Sequence, residues 1–169
     1  ARRFVGGHRA CSVFPAPVRG VLNAGTQADA SRLHRTIDGR GFGAQAFGIL
    51  PKVREWDLLL RSSTQIRTQV REVHPEVSFA ALNGGAGLRE GKKLDSGQEA
   101  RLRLLGEVLG TASILGLLSR VPRRDAAVDD VLDALAALWT AERVLEGTAC
   151  SLPAPPETDE LGIQRAIWY

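Results

Sequence analysis

The segment Gln69-Val70-Arg71-Glu72-Val73-His74-Pro75-Glu76-Val77-Ser78-Phe79 decides how the chain is read. Gln69 to His74 is short, β-branched at Val70 and Val73, and bounded by Pro75, which predicts a strand. Pro75 suits the first turn of a helix, and Glu76 to Leu82 is expected to form one that Asn83-Gly84-Gly85 ends. A strand running into a helix in this way puts Glu72, His74 and Glu76 at a strand's carboxyl end, where open α/β sheets gather ligands. A Glu in an otherwise β-branched strand costs desolvation unless something positive meets it. An arginine such as Arg71 or Arg54 is one such partner, and a divalent cation is another.

On either side the pattern is mostly helical. Helices are expected near Gln27 to Ile37, broken at Gly39, Gly41 and Gly43, and from Ala44 onward with Ala46, Ile49, Leu50, Val53, Trp56 and Leu60 on one face. Pro51 should kink the latter or start its second half. Ser96 to Leu118 reads as helix weakened by Gly106, Gly110 and Gly116, and Asp125 to Leu145 as the clearest helix, with Val128, Val131, Leu132, Leu135, Leu138 and Trp139 as its apolar stripe. Arg2 to Val5 reads as a helix end stopped by Gly6-Gly7, Leu152 to Pro156 as a linker or surface crossing, and Ala166 to Tyr169 as a short strand or docked tail. Trp56, Trp139 and Trp168 fall where core packing accounts for them.

The 169 residues are 44% hydrophobic, 24% charged and 5% aromatic, the profile of a single globular domain over 1–169. A chain of this size buries about 70% of its unfolded surface and needs neither disulfide nor structural metal to fold. No apolar run approaches the roughly 20 residues of a membrane helix, so no membrane and a reducing cytoplasm are the expectation, with Cys11 and Cys150 as idle thiols. Net charge is +3, with twelve Lys/Arg against six Asp/Glu in residues 1–84 and ten against thirteen in 85–169. That split is compatible with a basic first half meeting a polyanion. His8, His34 and His74 are too scattered for zinc, and Asp38-Gly39-Arg40-Gly41-Phe42-Gly43 lacks the Lys-Ser/Thr of a phosphate loop.

The sharper chemical candidate is Asp129-Asp130-Val131-Leu132-Asp133-Ala134. Asp130 and Asp133, three apart, project from one side of the helix. The helix dipole accounts for Asp129 and Asp130 in a first turn, but less well for Asp133 beside Leu132 and small residues. A strand-end Glu with Asp-x-x-Asp resembles a site holding two Mg²⁺ or Mn²⁺ ions for phosphodiester hydrolysis. Lys92 and Lys93, after a Gly-rich turn, are then candidate phosphate contacts on an exposed loop.

Ser12-Val13-Phe14-Pro15, Gln45 to Glu55, Glu72 to Phe79 and Asp129 to Ala134 resemble, in order, the predicted RNase H-like nuclease family known as domain of unknown function family 429. The resemblance implies an α/β, RNase H-like fold, a mixed sheet flanked by helices. Asp130-x-x-Asp133-Ala134 is similar to the final acidic motif of RuvC-type resolvases, and Glu72 falls where those enzymes place a strand-end Glu. Family members open with an Asp-bearing strand; this sequence is expected to begin after it, which makes it helix-rich for its class. The resemblance thus implies a metal-dependent nuclease with Glu72, Asp130 and Asp133 as metal ligands and catalytic groups, His74 and Glu76 beside them, and Gln45, Lys52 and Arg54 along a nucleic-acid groove. If the 169 residues are the whole molecule, weak metal binding and no turnover are expected. The alternative is a non-catalytic nucleic-acid-binding or protein-interaction module on the same scaffold.

Overall fold

A computed structural model describes every residue from Ala1 to Tyr169. In chain order its elements are helices α1 (Gln27–Asp38), α2 (Ala44–Gly48), α3 (Leu50–Ser62) and α4 (Thr64–Gln69), strand β1 (Glu72–Val73), helices α5 (Pro75–Leu82), α6 (Asp95–Leu105), α7 (Thr111–Arg120) and α8 (Val128–Glu146), and strands β2 (Ser151–Thr158) and β3 (Gln164–Trp168). The protein is α/β and helix-rich, 56% helical, with one small mixed sheet. The chain divides into two compact units: Ala1–Val13 with Arg71–Thr158 and Gln164–Tyr169, and Phe14–Val70 with Asp159–Ile163.

In the first unit the strands are ordered β1-β3-β2, with β1 parallel to β3 and β2 antiparallel to it. β1 is shorter than the sequence predicts. Only Glu72 and Val73 find partners, Ile167 and Trp168, while Gln69 ends a helix that Ser63 caps by accepting a hydrogen bond from the Ile66 N–H. The proline-rich run expected as a linker is instead β2. Prolines lack the N–H of a ladder and are confined to edges and bulges; β2 is an edge strand, and its register shifts between Leu152 and Glu157, where the prolines lie. Arg2 to Val5 makes a single turn, closed by the Val5 N–H on the Ala1 carbonyl, and Gly6 follows it at φ +73°.

Helix α5 is buried from Glu76 through Ala80, so it has no solvent face over those residues. Val77 and Ala80 pack with Val5 and Val13, while Phe79 packs with Leu88, Leu104, Leu105, Ile114, Leu132 and Ala136. Ser78 donates to Thr140 Oγ1 at 2.9 Å, since the Thr140 hydroxyl proton goes to the Ala136 carbonyl. The buried line of α8 is therefore Asp129, Leu132, Ala136 and Thr140, and Leu138, expected in the apolar stripe, is exposed.

Helix α6, a π-helical stretch (Gly106–Gly110) and α7 form a run that bends at Gly110, whose φ of +83° a side chain would resist. By length and composition alone this run, Asp95–Arg120, is apolar enough to cross a bilayer, with mean hydropathy 1.4 over its best window, which does not by itself make the chain a membrane protein. It also carries the buried Arg101.

The second unit has its own core of Val21, Leu22, Ala30, Phe42, Ala46 and Leu50. Thr26 caps α1 and Gly39, at φ +76°, ends it, while Pro51 sits in the first turn of α3 as expected. Trp56 is exposed rather than in the core. Arg19 holds Asp57 at 2.8 Å and Asp159 at 2.6 Å.

The burial line of α8 gives a contrast to measure. Leu132→Ala should cost about 2–5 kcal/mol in urea unfolding, whereas Leu138→Ala should change stability by about 0.5 kcal/mol or less. Similar costs at both positions would contradict this packing.

Candidate functional site

Pro75 starts α5 and places Glu76 in its first turn, where the helix dipole favours a carboxylate. Unlike most first-turn acids, Glu76 is only 6% exposed. Its partner is Arg101 of α6, with no exposed surface, whose Nη2 donates to Oε1 at 2.7 Å. Arg101 Nη1 donates to the carbonyl of Gly97 at 2.9 Å, and its guanidinium lies 5.2 Å from the centre of the Phe79 ring. Gly97 also lets the loop at Gly91 close against α6, because a Cβ there would overlap the Gly91 carbonyl. Arg9 Nε lies 3.9 Å from Glu76 Oε2, and the Arg9 guanidinium donates to the carbonyls of Leu88 and Arg89.

Beside this pair lies a second one. Lys92 Nζ sits 2.7 Å from Asp133 Oδ2 and 3.4 Å from Asp129 Oδ2, spanning two carboxylates one helical turn apart on α8. Burial works against the ammonium charge, but the hydrogen bond and charge of Asp133, with those of Asp129, outweigh it and raise the Lys92 pKa. Burial also raises the Asp133 pKa; Lys92 opposes this, while the Glu76 charge adds to it and Arg101 subtracts. The pair is ionised, since the two carboxylates within 3.4 Å hold the Lys92 ammonium charged. Glu76 Oε2 and Asp133 Oδ1 are buried without a hydrogen-bond donor.

The sequence-predicted residues divide accordingly. Glu76, Lys92 and Asp133 meet in this cluster. Asp130 is exposed and outside every ion pair, and the buried neighbour Asp129 takes the place expected for it. Glu72 and His74 lie on β1 and at the start of α5. The residue Glu72 is exposed, yet protein crowds its carboxyl, and desolvation raises its pKa against the opposing charge of His74. His74 Nε2 donates to the Ser12 carbonyl at 3.1 Å, leaving a buried Nδ1 without a partner. Lys93 is exposed, and Gln45, Lys52 and Arg54 are exposed residues of the second unit. Sequence reasoning missed Asp129, Arg101 and Arg9. For Asp129 a signal existed, since it lies three and seven residues before Leu132 and Ala136 and so shares their helix face. For Arg9, far from the cluster in sequence, none did.

A carboxylate centre for divalent ions needs converging oxygen donors with net negative charge. No three His, Cys, Asp or Glu side chains group as metal ligands, and the three acids Glu76, Asp129 and Asp133 face three bases, Arg101, Lys92 and Arg9. Asp133 is paired with Lys92 beside Asp129, while Asp130 is exposed outside the ion pairs and Glu72 lies on β1. Fold and cluster together define a small α/β protein built around a charge-closed ion network. A family model described as "Protein of unknown function (DUF429)" matches residues 1–158, and the chain belongs to that family. No curated protein and no solved structure matches it.

One measurement tests the cluster and a second tests Glu72. Arg101→Leu leaves Glu76 buried and uncompensated and should cost about 3–5 kcal/mol, most of it recovered on adding Glu76→Leu; an additive double mutant would count against the pairing. For Glu72, the raised folded pKa means that stability present below the unfolded carboxyl pKa of about 4.3 is lost as pH rises through the folded value. Glu72→Gln should therefore raise the urea midpoint at pH 7 and leave it unchanged near pH 3.

Proposed function

We propose that the chain is a nucleic-acid-binding module on an RNase H-like scaffold, whose acidic cluster serves to hold the fold. The observation carrying this reading is the charge closure of the cluster: Asp133, Asp129 and Glu76 already have internal cations. Some exposed basic groups, by contrast, have no acidic partner. Lys52 and Arg54 on α3 and Lys93 after the Gly-rich turn make no ion pair and remain open to phosphate. A polyanion bound this way is held by charge neutralisation and counterion release, which need neither a metal nor a shaped catalytic pocket. The net charge of +3 supports it, and two exposed, unpaired cysteines suit a reducing compartment such as the cytoplasm.

A second reading is a metal-dependent nuclease, and the buried, donor-free oxygens Glu76 Oε2 and Asp133 Oδ1 favour it. The family resemblance is compatible with both readings.

Salt titration separates them. Binding to single- or double-stranded nucleic acid should weaken steeply with salt in the presence of EDTA, and Lys52→Ala with Arg54→Ala should each reduce the log–log slope by about 1. Binding or cleavage that requires Mg²⁺ or Mn²⁺ and is lost in Asp133→Asn would favour the nuclease instead.

A further inference from the structure

We propose that α3 is the surface through which two copies of the chain pair, antiparallel and about a two-fold axis. The inner side of this helix is accounted for within the second unit: Leu50 and Val53 pack on its core, and Asp57 is held by Arg19. A different stripe is apolar and open. Ile49, Trp56 and Leu59 are 52%, 52% and 41% exposed, and with Lys52 they follow one another at spacings of three, four and three, along one side of the helix. That alternation is the seam of a helix pair. Trp56 stacks on no ring and under no cation of its own chain. A half-exposed tryptophan between exposed aliphatic residues has the composition of an interface anchor.

The stripe is its own complement, which is what points to a second copy. Its spacing reads the same from either end, so an antiparallel copy sets Ile49 against Leu59 of the partner copy and Lys52 against Trp56 of the partner copy, each contact occurring twice. An ammonium over an indole face is a favourable contact. The remaining charge agrees. Lys52 and Glu55 are exposed, three residues apart, and outside every ion pair of the chain. Antiparallel pairing brings Glu55 of the partner copy to within about one residue's rise, ~1.5 Å along the axis, of the level of Lys52. Both lie on the same side of the seam, so two Lys52–Glu55 bridges cross it. Parallel pairing would instead set lysine level with lysine and glutamate level with glutamate. Arg54 points away from the stripe, on the opposite side of α3, and stays open to phosphate in the pair, whereas Lys52 is open only in the single chain. One helix pair buries less than the ~800 Å² per partner of a standard interface, so the association is weak.

The pairing does not depend on nucleic-acid binding and is tested without nucleic acid, by sedimentation equilibrium of the intact chain at low salt. Wild type should pass from one copy to two between about 10 µM and about 1 mM, the weak range of an interface below ~1,200 Å² in total. Trp56→Ala should weaken the association at least about tenfold while keeping the wild-type circular dichroism, because the ring lies outside the core. Lys52→Glu and Glu55→Lys should each weaken it about tenfold by setting like charges across the seam. An equimolar mixture of these two variants should recover most of the wild-type association, since the facing charges are then opposite in sign. Wild type that stays single up to about 1 mM would overturn the proposal. So would pairing that Trp56→Ala leaves intact, or a mixture that pairs no better than its components, which would give the stripe to a partner other than an antiparallel second copy. Should Trp56→Ala unfold, the charge variants decide alone, as neither replaces a buried group.

Discussion

The Glu76–Arg101 pair constrains the first unit more than any other contact. A guanidinium with no exposed surface carries a desolvation cost that only good geometry offsets, and Arg101 has that geometry from one carboxylate and the carbonyl of Gly97. Those partners come from α5 and the first turns of α6, so neither helix shifts without stranding a charge. The requirement propagates outward. Gly97 must lack a side chain for the loop at Gly91 to close against α6, and Phe79, one turn along from Glu76, must present its ring to the guanidinium. The apolar cluster around Leu105, Ile114 and Leu132 then fills the space these helices enclose.

Much of the helical framework was legible because it obeys local rules. Pro75 and Pro51 mark helix starts, Gly39 marks an end, and the 3.6-residue period locates α1, α3 and α8 within a few residues. The strands were less so, because a strand is defined by its partner. Val70 is as β-branched as Val73, yet only Val73 lies opposite a residue of β3. The proline run 152–156 looks like a linker by composition and joins the sheet because an edge strand, with one side unpaired, tolerates missing N–H groups. Neither outcome is encoded in the residues themselves.

The site shows the same division. Glu76, Lys92 and Asp133 were visible as charged residues at places where a helix or turn begins, but which acids face inward was not. The choice between Asp129 and Asp130 depends on 100° of rotation about α8. The apolar set that included Leu138 and Trp139 turns the face away from the one buried through Leu132, Ala136 and Thr140. A small polar residue, Thr140, belongs to that buried line because Ser78 gives it a hydroxyl partner, and hydropathy alone passes over it.

The internal closure of the acids also shapes the field outside. Carboxylates at the surface would oppose an approaching polyanion, and a raised local counterion concentration would be needed to offset them. Here three acids are paired with Arg101, Lys92 and Arg9, of which Arg101 and Arg9 are largely withdrawn from solvent and Lys92 is partly so. Lys52 and Arg54 on α3 and Lys93 after the Gly-rich turn stay exposed and outside the ion pairs, with the exposed acids Glu55 and Glu90 near them in sequence. Because three bases are withdrawn along with the three acids, the groups outside the cluster keep the net charge of +3 that the whole chain has.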